Sequence, residues 1–201
     1  MSNPEKLDLA EAADRITKLV RRDLTLGAAM RELIDWCAKR RPHRDWQPLR
    51  DLDFAAELRR LRSWFHHVIS EEPPDASITG IYFGLFNPTY SSVTVADLYV
   101  AGGVVSDGEW IPAVRNHWWP ERRYARSQLL AQLYRVAYRS ARGLGNDAEY
   151  PLALGFAVLA AKQLAPALPR KNVVIAAGFD SGDILTLGRL STKGLAMSPA
   201  W

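Results

Sequence analysis

Tryptophan and arginine stand unusually close together between residues 117 and 126. An indole ring offers a large, rigid contact area, and a guanidinium offers a planar fork of donors for carboxylates, phosphates or bases. This composition is typical of a recognition surface, and we expect it to bind a partner through His117, Trp118, Trp119, Arg122, Arg123 and Arg126. The alternative for the two tryptophans is a place in the core beneath a sheet.

The partner expected first is a protein, because tryptophan and arginine side chains carry much of the binding energy in protein interfaces. The alternative is a nucleic acid, with Tyr124 as a stacking platform and the arginines facing phosphates. Arg135, Arg139 and Arg142 are expected on the solvated face of a helix, apart from the others.

Three aspartates form a second candidate, an acidic site. Asp180 and Asp183 flank a turn between two predicted strands, where they could bind a cation or act as acid and base. In the simpler interpretation, Asp180 and Ser181 hydrogen-bond backbone amides within that turn. Asp97 interrupts an apolar strand, and if its face is covered it needs a donor such as an arginine that follows Trp119.

Short catalytic motifs are absent from the sequence. It contains no P-loop, no Rossmann glycine pattern, no H-E-x-x-H, no paired cysteines and no G-x-S-x-G. His66 and His67 are adjacent, so on a helix their side chains diverge by roughly 100° and do not form a metal site. We therefore expect no catalytic residues, no metal and no cofactor. The remaining enzyme hypothesis groups Asp180 and Asp183 with Glu109 or His117 around a pocket.

Composition describes an ordinary globular protein of 201 residues, with 48% hydrophobic and 24% charged residues. The longest apolar stretch, residues 151–161, is about half of the roughly 20 residues that cross a bilayer, so no membrane contact is expected. The single cysteine, Cys37, cannot form an internal disulfide, and no hydrophobic leader opens the chain. These features favour the cytoplasm.

Charge is distributed unevenly, although the net value is only +4. Residues 71–108 contain five acidic and no basic residues, whereas residues 109–142 contain seven arginines and two glutamates. Net charge therefore says little about partners, because the two segments could pair with each other.

Hydrophobic spacing predicts helices in the first third of the chain, and strands together with two more helices in the rest. The first helix follows the start signal of residues 3–5, and further helices are predicted over 26–39, from 51 or 53 to 68, over 121–141 and over 151–165. Strands are predicted over 78–86, 92–101, 109–114, 172–179 and 184–190.

This order predicts an α+β protein, in which N-terminal helices are followed by a mainly antiparallel sheet of about five strands, in the order β-β-β-α-α-β-β, packed on helices. A single integrated domain over 1–201 is the preferred interpretation. A division into a helical part, 1–72, and an α+β part, 77–201, is the alternative, but about 70 residues of helix provide little independent core.

Three runs of the sequence resemble stretches in small bacterial proteins that are similar to immunity proteins of polymorphic-toxin systems. They extend from Gly80 to Asn87, from Leu144 to Tyr150 and from Gly178 to Asp183. The resemblance implies a cytoplasmic protein that binds and blocks one cognate toxin domain, without a cofactor. It supplies no contact residues. Because this chain is basic, such a toxin is expected to be neutral or acidic, or to meet the acidic segment.

Overall fold

The computed structural model describes residues 6–90, 93–94, 96–105, 117–180 and 182–198. The helix start signal at residues 3–5, the predicted strand over 109–114, and both Glu109 and Ser181 lie outside the described residues.

Four helices open the described chain. They are α1 (Leu9–Val20), α2 (Leu26–Arg40), the short α3 (Trp46–Arg50), which spacing did not predict, and α4 (Phe54–Glu71). The side chains of Asp8, Thr25 and Asp53 accept hydrogen bonds from the first free amides of α1, α2 and α4. These caps fix the three helix starts, because the first amides of a helix have no partner within it.

The later part of the chain forms strands and two more helices. The strands are β1 (Gly80–Phe86), β2 (Thr89–Tyr90), β3 (Val93–Thr94), β4 (Asp97–Gly103), β5 (Tyr124–Arg126), β6 (Val173–Phe179), β7 (Ile184–Ser191) and β8 (Gly194–Met197). The helices are α5 (Gln128–Ala137) and α6 (Asn146–Leu164), the latter followed by a 3₁₀ turn at Ala165–Ala167.

Six strands form one mixed sheet in the order β5-β4-β1-β6-β7-β8, and β2 and β3 form a separate pair. Neighbouring strands are antiparallel except β1 and β6, which are parallel. The predicted α+β fold, with a sheet packed on helices, is confirmed. The sheet was expected to be mainly antiparallel, and four of its five strand pairs are. The central pair, β1 and β6, is parallel, because the chain crosses over through α6 between them.

Helix α6 is buried nearly all round, which explains its continuous apolar sequence. It packs against β1 and β6 and also against α1 and α2. One cluster of buried side chains therefore runs from Ile16 and Leu33 in the N-terminal helices, through Phe156 in α6, to Phe83 and Ile175 in the sheet. Within the described part of the chain, no helix is both long and apolar enough to cross a bilayer.

Three predicted helix starts are wrong. Residues 6–8 are not helical, so α1 begins at Leu9 with Asp8 as its cap and does not follow directly on residues 3–5. The helix expected from Glu121 begins at Gln128, because β5 pairs with the edge strand β4 and the Ser127 hydroxyl then caps α5. Helix α6 begins five residues before Pro151, which lies inside it. Pro151 lacks the amide that would bond to the carbonyl of Asp147, yet α6 continues past it to Leu164.

Candidate functional site

Side chains on the sheet alternate between two faces. Ile81, Phe83 and Val100 point into the main core, while Tyr82, Tyr99, Ala101 and Ala176 form a separate small cluster on the opposite face. This alternation follows from the two-residue period of a strand. The second face therefore carries its own group of aromatic side chains, next to the predicted Trp/Arg stretch.

Tyr99 is the centre of a group of touching aromatic rings on this second face. Its ring centroid lies 5.8 Å from that of Tyr82 and 5.6 Å from those of both Trp119 and Tyr124. Phe86 extends the group, 5.6 Å from Tyr124. These spacings lie within the range of favourable aromatic pairs.

Gly84 makes this arrangement possible. It pairs directly with Tyr99 across β1 and β4, and a Cβ atom at this position would overlap the Tyr99 ring. The ring therefore occupies the space that any larger side chain at residue 84 would need.

The outer rings of the group are exposed, although the inner ones are buried. Phe86 is 40% exposed, Trp119 41% and Tyr124 39%, whereas Tyr82 and Tyr99 are fully or almost fully buried. We call Phe86, Trp119 and Tyr124 the aromatic surface. Large apolar side chains that are grouped and exposed in this way are characteristic of interaction sites.

Arg123 covers part of the aromatic surface. Its guanidinium carbon lies 4.3 Å from the centre of the Trp119 ring and 4.9 Å from that of Tyr124. Its Nη1 donates to the carbonyl of Pro120 at 3.0 Å. Stacking and this bond together hold the arginine in one place on the surface.

Helix α4 anchors the segment that carries these residues. The indole of Trp64 donates to the carbonyl of Arg122 at 2.8 Å, and the exposed guanidinium of Arg122 contacts the Nε2 atom of His67. The backbone amide of Glu121 donates to the carboxylate of Glu72 at 3.0 and 3.1 Å. The segment is thus positioned by several polar contacts rather than by the short strand alone.

Trp118 and His117 occupy different positions from Trp119. Trp118 is only 7% exposed, and its indole donates to the carbonyl of Glu72 at 2.8 Å, so it belongs to the core. His117 is exposed, and its backbone amide donates to Gly102. Trp119 is consequently the tryptophan of this pair that a partner can reach.

Asp97 lies directly opposite Arg126 across β4 and β5. Opposed residues of an antiparallel pair project on the same face, so this carboxylate and this guanidinium share the face that carries Tyr99 and Tyr124. Asp97 is buried, whereas Arg126 is exposed. The cross-strand register thus brings to Asp97 one of the arginines expected after Trp119.

Asp180 is joined to the aromatic group through Tyr99, whose hydroxyl donates to its carboxylate. Burial raises the pKa of Asp180, and the hydrogen bond from Tyr99 partly offsets that effect. Burial is also the main cause that raises the pKa of the Tyr99 phenol, followed by its bond to Asp180. Asp180 thus supports the inner ring of the surface.

Asp183 faces a different place, a cleft of about 210 Å³. The cleft is lined by Asn87, Asn146, Glu149, Tyr150, Phe179, Gly182 and Asp183. Burial, followed by a hydrogen bond with Asp183, raises the pKa of Tyr150 to about 12. Glu149 accepts hydrogen bonds from Tyr134, at 2.6 Å, and from Tyr138.

Sequence spacing did not reveal this cleft, because it forms where the ends of β1 and β6 meet the start of α6. Its acids are engaged by tyrosine hydroxyls. Among the described residues, no three histidine, cysteine, aspartate or glutamate side chains are grouped so that they could hold a metal ion. The predicted trio of Asp97, Asp180 and Asp183 is divided between a cross-strand pair, the aromatic group and the cleft.

No family model, curated protein or solved structure matches this chain. The resemblance to immunity proteins therefore depends on the three sequence runs alone. Two of those runs, at Gly80–Asn87 and Gly178–Asp183, contain β1 and the end of β6, which lie side by side in the sheet.

Proposed function

We propose that this chain is a non-enzymatic bacterial protein that holds one acidic protein partner on its aromatic surface. The observation that carries the proposal is the exposed group of Phe86, Trp119 and Tyr124, with Arg123 stacked on two of its rings. In keeping with the resemblance, the partner is a toxin domain, which the chain blocks in the cytoplasm.

The aromatic surface has the composition of an interface hot spot. Tryptophan, tyrosine and arginine are the residues most often found to dominate binding energy. Here the rings are already packed on one another, so binding costs little of the entropy that is lost when mobile side chains are ordered. A preformed apolar centre with a polar rim is typical of stable protein complexes.

Charge favours an acidic partner. Arg123 lies on the surface, and the exposed Arg126 shares the strand face that carries Tyr124. Arg122 is exposed as well, but its guanidinium contacts His67 on α4. A guanidinium stacked on a ring keeps donors at its edge for a carboxylate of the partner. Such complementary charge mainly accelerates association and selects the partner.

A nucleic acid fits the aromatic surface less well. Bases stack on open ring faces, but Arg123 covers one face of both Trp119 and Tyr124. The two rings also meet edge to face, with an interplanar angle of 87°. An enzymatic role is likewise less well supported, because Asp180 and Asp183 engage different tyrosines.

Affinity capture from the source bacterium tests the proposal. Wild-type protein is compared with Trp119→Ala, Arg123→Ala and the control Trp36→Ala. Trp36 is a suitable control because it also carries a stacked arginine, Arg40 at 3.9 Å, but lies on α2. We expect Trp119→Ala to weaken binding of the captured protein at least about thirtyfold, which corresponds to about 2 kcal/mol, while the control binds normally.

The captured protein is then expressed with and without this chain. The proposal expects it to arrest growth when expressed alone and to be harmless when the wild-type chain is present. Equal recovery by all variants would reject the aromatic surface as the binding site, and a harmless captured protein would reject the immunity role.

A further inference from the structure

Two basic segments that are far apart in sequence meet at the surface. The first follows α2 and contains Arg41, His43 and Arg44; the second follows α5 and contains Arg139 and Arg142. Arg139 joins them through two hydrogen bonds to Asp45, one of them from its Nε atom at 2.9 Å. The fold thus brings Arg139 and Arg142, which were expected on a solvated helix face, next to the basic residues that follow α2.

His43 lies at the centre of this group. Its ring makes a hydrogen bond with the backbone of Arg142, and the charges of Arg41, Arg44 and Arg139 act on it. Burial, followed by these cations, lowers the pKa of His43. The imidazole is therefore neutral at neutral pH, and the positive charge of the group comes from its arginines. We call Arg41, Arg44, Arg139 and Arg142, arranged around His43, the arginine cluster.

The cluster is only partly neutralised. Arg41 pairs with the buried Asp147 at 2.8 Å, and Arg139 pairs with the buried Asp45. The Arg44 side chain is 87% exposed, and its nearest carboxylate oxygen, on Asp45, is 3.8 Å away. Arg142 is exposed and forms no ion pair among the residues that the structure describes.

We infer that the arginine cluster is a docking surface for the phosphodiester backbone of a nucleic acid. Two of its arginines are fixed by buried aspartates, and the other two project into solvent beside them. The two exposed guanidiniums belong to different segments of the chain and suit successive phosphates of a backbone, whereas a single small anion needs donors that converge in a pocket. The site is separate from the aromatic surface and extends the proposed function to a second ligand.

Fluorescence anisotropy with labelled duplex DNA, single-stranded DNA and single-stranded RNA tests this inference on the whole chain. The double variant Arg44→Glu/Arg142→Glu is compared with Arg59→Glu/Lys193→Glu. All four side chains are exposed, and both variants change the net charge by the same amount. The control residues lie on α4 and at the β7–β8 turn, so the pair of variants separates a local effect from one of net charge.

The inference expects wild-type binding that weakens steeply from about 50 to about 200 mM salt. The cluster variant should bind at least about tenfold more weakly, with a salt slope reduced by about two, while the control variant loses clearly less. Absence of wild-type binding at low salt would overturn the inference, and so would equal losses in the two variants. Competition by inorganic phosphate at low millimolar concentration would also overturn it, because that result indicates a single-anion site.

Discussion

At the scale of single residues, Asp180 connects the β6–β7 turn to the aromatic group, because its carboxylate accepts a hydrogen bond from the Tyr99 hydroxyl. Burial raises the pKa of its carboxyl above the ordinary value of 3.8, so the folded chain holds this proton more tightly than the unfolded chain does. The contribution of Asp180 to stability is therefore fully present below pH 3.8 and is lost as the pH rises through the folded pKa.

Replacing Asp180 by Asn should remove this pH dependence and retain an acceptor for the Tyr99 hydroxyl. We expect the free energy of unfolding of Asp180→Asn to match or exceed that of the wild type at neutral pH, because no charge is buried. Urea unfolding over a pH series, with Asp183→Asn as the exposed control, measures the effect. An unchanged pH profile in Asp180→Asn would contradict the explanation.

Cys37 offers a second residue-level prediction. Its side chain is fully buried, and burial raises its pKa to about 12. Since the thiolate is the reactive form, the native thiol should resist labelling by a disulfide reagent at pH 8 and react fully once the chain is unfolded in guanidinium. Absorbance of the released thiolate follows the reaction. Rapid labelling of native protein would show that α2 is open to solvent at this point.

At the scale of elements, the contact between α2 and α6 depends on Gly155. A Cβ atom at this position would lie 2.5 Å from Cδ2 of Leu33, which is fully buried. Alanine normally favours a helix over glycine by about 1 kcal/mol. Here Gly155→Ala should instead destabilise the protein by about 1–3 kcal/mol, because the added methyl overpacks the crossing.

Gly27→Ala is the matched control for this substitution. Gly27 lies in the first turn of α2, and a Cβ atom there would lie 3.3 Å from the end of the flexible Arg31 side chain. This variant should be neutral or stabilised by up to about 1 kcal/mol. Denaturant midpoints of the two variants decide the matter: similar shifts in both would contradict the proposed clash.

Local signals account for the elements that the sequence predicted well. Caps and apolar spacing lie within the same short segments as α1, α2 and α4, so no distant contact is needed to recognise them. Strand β5 has only three residues and exists because it pairs with β4. Its sequence continues the helical pattern of α5, and only that long-range pairing shows where the helix starts.

The candidate site, like the secondary structure, was predictable from the sequence only where local residue types define it. Residue types alone indicated that Trp119, Arg122 and Arg123 could form a contact surface. The participation of Phe86 depends on its distance from Tyr124, and hence on how β1, β4 and β5 lie side by side. The arginine cluster also depends on a tertiary contact, the one between Asp45 and Arg139.

At the scale of the whole molecule, α6 connects the two halves of the chain. Ile16 and Leu33 lie close to Gly155 on one part of its surface, while β1 and β6 pack on another. Removing the N-terminal helices would expose the apolar side of α6 that they cover. Neither half therefore has a complete core of its own, and the two should fold together.

A single cooperative transition is the expected consequence. Fluorine-labelled tryptophan would report on both halves in one experiment, since Trp36, Trp46 and Trp64 lie in the helices while Trp118 and Trp119 lie beside the sheet. We expect the native fluorine resonances of all five to disappear at the same denaturant concentration, together with the far-ultraviolet circular dichroism. Earlier loss of the Trp36, Trp46 and Trp64 resonances would show that residues 1–72 form an independent unit. In that case the sheet and α6 would keep their packing after the N-terminal helices had unfolded, and the core around α6 would not be a single cooperative unit.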